Sequence, residues 1–206
     1  MKLALQYLFL KIQAVLLLGA GNCAGALLKF ERMLQLRPAD RYALGSRAHL
    51  QAQLNNFAEA IASLQQLTRM AGSVPQDAAA WFNLGFVLQQ AGRHDDAGSA
   101  FQSALARDPR LDRAWYGLAL VLIHQGQFHD AVAALKKNTA LQPMSPYGWY
   151  RLAQVRLALG QPEKALKVIE HLRQFEPKVA ARLEHETGLG RAADVARRTG
   201  VADAAQ

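Results

Sequence analysis

A chain of 206 residues, 51% of them hydrophobic and with a net charge of +8, has the material for one globular domain or one short solenoid. Its single cysteine, Cys23, excludes an intramolecular disulfide and any zinc site built from several cysteines. The positive charge is spread: residues 1–77 carry eight Lys/Arg against four Asp/Glu, and residues 78–177 carry eleven against eight, with no run longer than a pair. That pattern gives no basic arm for nucleic acid, and it leaves an acidic partner somewhat easier to attract. Alanine, leucine and glutamine are abundant, β-branched residues are sparse, and nothing alternates with the period of a strand, so helix is expected throughout.

The chain opens on Leu3–Ala20, rich in Leu, Phe, Ile and Val behind Lys2. This stretch reads either as a repeat helix or as a targeting or anchoring segment. Lys11 in its middle costs about 2.5–3.5 kcal/mol in a membrane span, which favours the helix reading, and with it a cytoplasmic protein. The alternative is a membrane-associated or periplasmic one. Downstream, Trp81, Trp115 and Trp149 stand 34 residues apart. Gly92, Gly126 and Gly160 keep the same interval, as do Ala97, Ala131 and Ala165, then Pro109, Pro143 and Pro177. A fixed period of this length marks a stacked-repeat architecture. The frame extends upstream through Ala26 and Ala60, Phe30 and Leu64, Gly21 and Pro38, with Leu10 and Leu44 in the tryptophan's place. Five units follow: Tyr7–Asp40, Arg41–Val74, Ala78–Leu111, Asp112–Ser145 and Pro146–Val179. Residues 1–77 thus hold two degenerate units, and Pro75-Gln76-Asp77 lengthen the loop before the third. Residues 78–179 hold three well-matched units. Residues 180–206 form a capping helix ending at Gly188, with a possible short helix at 191–198, and a flexible tail.

The order Trp, Leu, Gly or Ala, turn Gly, Ala, large apolar, Pro resembles the tetratricopeptide repeat, a helix–turn–helix unit of 34 residues. The likeness is clearest in "AWFNLGFVLQQAGRHDDAGSAFQSALARDP", through Trp81, Leu84, Gly85, Gly92, Ala97, Phe101, Ala104 and Pro109. The resemblance implies an all-α fold, an α-solenoid of about five such repeats. It also implies a non-enzymatic adaptor that holds a peptide or a partner's helix in a concave groove lined by first helices. The helical spacing leaves a face of those helices free of packing duty. The third unit contributes Phe82, Asn83, Phe86, Gln89 and Gln90 to it. The fourth adds Arg113, Tyr116, Leu120 and His124, and the fifth Tyr147, Tyr150, Arg151 and Gln154. Tyr42, Ser46 and His49 of the second unit extend the set. Rings supply contact area, arginines hold carboxylates and amides bond a peptide backbone.

One subgroup of the family grips the acidic tail of cytosolic chaperones in a carboxylate clamp. Asn83 matches one clamp position and Arg113 stands in for a lysine, but Gly45, His49 and Gly117 occupy the rest, so no such tail is expected. A second subgroup carries an asparagine ladder, of which this chain has Asn83. No phosphate loop, nucleophile elbow or His-Glu-x-x-His helix is present, so catalysis, cofactors and metals are not expected. His124 and His129, flanking the fourth turn, read as solvated side chains. His94-Asp95-Asp96, in the third turn, read as charges favouring the positive end of the next helix.

Overall fold

The computed structural model describes residues 2–70 and 73–189, and the expected helix at 191–198 and tail lie outside them. The described residues are helical from end to end and divide into two compact units, Met1–Gly117 and Leu118–Gln206. The first unit holds α1 (Lys2–Gly19), α2 (Cys23–Leu36), α3 (Arg41–Gln53), α4 (Phe57–Thr68), α5 (Val74–Gln90), α6 (His94–Arg107) and the start of α7 (Asp112–His124). The second holds the end of α7, then α8 (Phe128–Leu141), α9 (Pro146–Ala158), α10 (Pro162–Phe175) and α11 (Pro177–Thr187). Consecutive helices pack on one another from α1 through α6 and from α8 through α11, and α11 also touches α9.

Short turns fold each pair back on itself by one repeated device. Gly21, Gly92, Gly126 and Gly160 take φ between +66° and +75°, and Asn55 supplies the same left-handed step in the second pair at +61°. Glycine and asparagine tolerate that backbone best. The amide three places beyond the helix then reaches back: Asn22 to the Leu17 carbonyl at 2.8 Å, Asn56 to Gln51 at 2.8 Å, Arg93 to Leu88 at 2.9 Å. These bonds satisfy carbonyls that the helix end would otherwise leave open.

Alanines at the repeat positions are fully buried: Ala26, Ala60, Ala97, Ala131 and Ala165. Beside them the largest enclosed side chains fill the core, Phe30, Phe101, Leu135 and Ile169 among them. In the second unit Leu172, Ala180 and Leu183 join Ala153, Ala165 and Ile169 in one cluster, so α11 covers the core that α9 and α10 would expose.

Two local expectations are corrected. Pro75-Gln76-Asp77 are not loop but the opening of α5, which is longer than α3, α7 and α9. Proline fits a first helical turn because its missing N–H is an orphan there. Asp77 adds a charge at the positive helix end and pairs with Arg41 at 2.9 Å. His94-Asp95-Asp96 likewise begin α6 rather than fill the turn, and Asp96 pairs with Arg93 at 2.6 Å.

Candidate functional site

The first helices α3 and α5 leave a small cavity of about 170 Å³ between them in the first unit. Its floor is apolar, with Ala48, Leu64 and Val87, and Gly45 keeps it open, since a Cβ there would meet nothing nearer than Leu67 Cδ2 at 3.9 Å. The rim is aromatic and polar: Phe86, 48% exposed, with Asn83, Gln90, His49 and Gln53. Asn83, Phe86 and Gln90 come together because they lie three and four residues apart on one face of α5.

The other expected groove residues are placed differently. Phe82 is half-buried, its ring 5.9 Å from Phe101 and 6.4 Å from Phe86, and the Arg113 guanidinium covers it at 4.9 Å. Gln89 is half-buried away from the cavity lining, and Tyr116 is half-buried near the end of the unit. Tyr42 is exposed but engaged, edge-on to Phe30 at 5.8 Å and capped by the Lys11 ammonium at 4.7 Å. In the second unit Leu120 is half-buried, His124 exposed and Tyr147 70% exposed. Arg151 donates to Gln154 at 2.9 Å. The Tyr150 hydroxyl donates to Glu186 of α11, a bond that raises the phenol's pKa and lowers that of Glu186, which Arg182 also holds.

Two features lay outside the sequence reading. In the second unit a furrow of about 530 Å³ runs over Pro143, Trp149 and Val168, with Lys136, Arg156, Lys164 and Lys167 around it. The lysines of α8 and α10 recur at no 34-residue interval, so the repeat frame gives them no signal. The second feature explains the tryptophans. The indole N–H of Trp115 donates to the Pro109 carbonyl and that of Trp149 to the Pro143 carbonyl, both at 2.8 Å, tying each unit to the loop before it. Trp81 has no such bond, and its Nε1 is buried without a partner. Six residues before it stands Pro75, and the extra helical turn at the start of α5 directs that carbonyl along the helix instead.

Two family models, both described as tetratricopeptide repeat, match the sequence, one over residues 13–62 and 46–112 and the other over 88–149 and 122–184. The chain belongs to the tetratricopeptide repeat family. Its fold is all-α, of the α-solenoid class, and its repeats are those of a protein–protein interaction scaffold. A crystal structure of MamA is similar at 20% identity and a TM-score of 0.76, covering 85% of this chain and 94% of that one. MamA from Desulfovibrio magneticus RS-1, from residue 41 to its end, is similar at 17% identity and a TM-score of 0.76, covering 84% and 96%. YrrB, described as a tetratricopeptide protein with an unusual peptide-binding site, is similar at 18% identity and a TM-score of 0.69, covering 84% and 88%. No curated protein matches the sequence.

Proposed function

We propose that this protein is a non-enzymatic scaffold that seats a peptide or helix of a partner protein against the first helices of its repeats. The cavity between α3 and α5 takes an apolar side chain of that segment. The observation that carries this reading is the composition of the cavity: an apolar floor under a rim of Phe86, Asn83, Gln90, His49 and Gln53. Interfaces draw most of their affinity from a few side chains buried in such pockets, while surrounding amides pair the backbone. The likeness to YrrB, a protein with a peptide-binding site, agrees with it. The net charge of +8 favours an acidic segment, in a cytoplasmic setting.

Displayed peptide libraries selected on the intact protein test the proposal. Selected peptides should share an apolar anchor among acidic residues. Gly45→Leu, which fills the cavity from a position with room for a side chain, should weaken them about tenfold or more while the helical content stays unchanged. Peptides that bind Gly45→Leu and Phe86→Ala as well as the parent would move the interaction to another face, the cationic furrow of α8, α9 and α10 first among them.

A second reading, a membrane-tethered assembly factor held through residues 1–20, is favoured by one observation. Helix α1 is long and apolar enough to cross a membrane, and 11% of that window is buried.

A further inference from the structure

Helix α1 has two apolar faces and one of them is covered. Leu10 and Ala14 are buried, while Leu5, Leu8, Phe9, Ile12, Val15 and Leu16 stand 50–68% exposed on the opposite side. Leu5, Leu8, Ile12 and Val15 follow the three-four spacing that keeps side chains on one helix face, and Phe9 and Leu16 widen that face. A contiguous apolar face of this kind marks an interaction surface.

The repeat register shows what the face does not take. Phe9 and Leu16 correspond to Ala43 and Leu50 of α3, to Ala80 and Val87 of α5, and to Gly148 and Val155 of α9, all buried. There the preceding helix packs: α2 on α3, α4 on α5, α8 on α9. At the closest approach the later units have alanine or glycine, and at Gly148 even a Cβ would come within 2.1 Å of Asn138. Phe9 fills that place on α1, so a further repeat cannot dock there at the same spacing.

Nor is α1 free to leave the unit. The Tyr7 hydroxyl donates to Asp40 at 2.6 Å, the Arg37 guanidinium lies 4.2 Å over the Tyr7 ring and the Lys11 ammonium 4.7 Å over Tyr42. A helix crossing a bilayer would have to break all three contacts. Charge favours an anionic neighbour, since residues 1–30 contain Lys2, Lys11 and Lys29 and no Asp or Glu. At about 3.6 residues per turn, Lys2 and Lys11 fall on opposite flanks of the exposed stripe, and the exposed Lys2 is long enough to reach a headgroup layer.

We propose that α1 lies in the plane of an anionic membrane surface, its Leu5–Leu16 stripe among the acyl chains, Lys2 at the phosphates, Lys11 still over Tyr42, and its inner face still packed on α2. This rests on the membrane reading above and replaces a spanning anchor with an interfacial one.

Flotation of the full chain with vesicles tests it, phosphatidylglycerol mixed into phosphatidylcholine against phosphatidylcholine alone. The protein should float with the anionic vesicles, less so as salt rises. Phe9→Gln with Leu16→Gln, both at exposed positions, should lower the partition at least about tenfold without changing helicity or melting. A tryptophan placed by Ile12→Trp should be quenched most by lipids labelled near the headgroup. Strongest quenching at the bilayer centre would overturn the in-plane placement and leave the membrane reading standing. Equal flotation with both vesicle types would overturn the anionic requirement. Absence of flotation would overturn the proposal and the membrane reading together, and a dimer in solution that the same double substitution abolishes would show that a second copy covers the face.

Discussion

Phe101 is 1% exposed and boxed between two glycines. A Cβ on Gly85 would lie 2.8 Å from two of its ring atoms and 3.2 Å from the Ala97 carbonyl oxygen, and one on Gly117 would lie 2.5 Å from the far end of the ring. Because the ring touches both walls, it cannot retreat from one without striking the other. Gly85→Ala therefore sets two effects against each other. Alanine gains about 1 kcal/mol over glycine inside a helix. Over-packing a closed core costs about 1–3 kcal/mol. The clash should win, with a net loss of up to roughly 2 kcal/mol. In a Phe101→Leu background the same change has room, so the helix term survives alone and Gly85→Ala should stabilise by up to about 1 kcal/mol. The register supports this, since Ala48 goes with Leu64 and Ala153 with Ile169. Phe30 coexists with Ala14, but its ring is set edge-on against Tyr42 and its outer wall in register is Ser46, not a glycine. Urea unfolding of the four proteins, followed by far-ultraviolet circular dichroism, gives the cycle. One sign for Gly85→Ala in both backgrounds would refute the boxed ring.

Trp149→Phe should cost about 1 kcal/mol more than Trp81→Phe in urea unfolding, because the first loses the bond to the Pro143 carbonyl and the second removes a buried N–H that has no partner. Tyr7 is held at about 12 by burial and by its bond to Asp40, against an ordinary 10.0. A raised phenol stabilises the fold fully below the ordinary value and loses that contribution as pH climbs through the folded one. Absorbance titration should accordingly show a late tyrosine that Tyr7→Phe removes, and this variant should lose less stability than the parent between those two values. Glu186 shows the opposite shift, lowered first by the Tyr150 hydroxyl and then by Arg182. Its contribution is present above the ordinary carboxylate value and fades as pH falls through the lowered one. Tyr150→Phe should thus speed hydrogen exchange in α11 at neutral pH and flatten the acid dependence of that exchange.

The fold was legible because packing repeats. A 34-residue interval in Trp, Gly, Ala and Pro records positions where helices touch, and identical contacts demand identical residue sizes. Where the contact was unusual the interval said less. Pro75-Gln76-Asp77 look like loop by composition, yet proline is as much at home in a first helical turn. The candidate site was legible in part for a related reason. Asn83, Phe86 and Gln90 meet because helical spacing alone puts them on one face. Phe82 belongs with Phe101 and Arg113, and Tyr150 reaches Glu186, through contacts 19 to 36 residues away that no local pattern encodes.

The first helix shows where periodicity stops being informative. In register, Leu8, Ile12 and Val15 stand where α5 has Ala79, Asn83 and Phe86, so an array reading assigns them to a ligand-facing surface. Phe9 and Leu16 stand where later helices receive a neighbour, so the same reading assigns them to a joint. On α1 the two surfaces merge, because no polar residue separates them and the side chains of both stand at least half exposed. Soluble proteins rarely leave a contiguous apolar face this wide open to water. The outward face of α1 carries leucine, phenylalanine, isoleucine and valine instead. Under the membrane proposal this face acts apart from the amide-rimmed cavity between α3 and α5, and the two can be occupied together because α1 contributes nothing to the cavity lining.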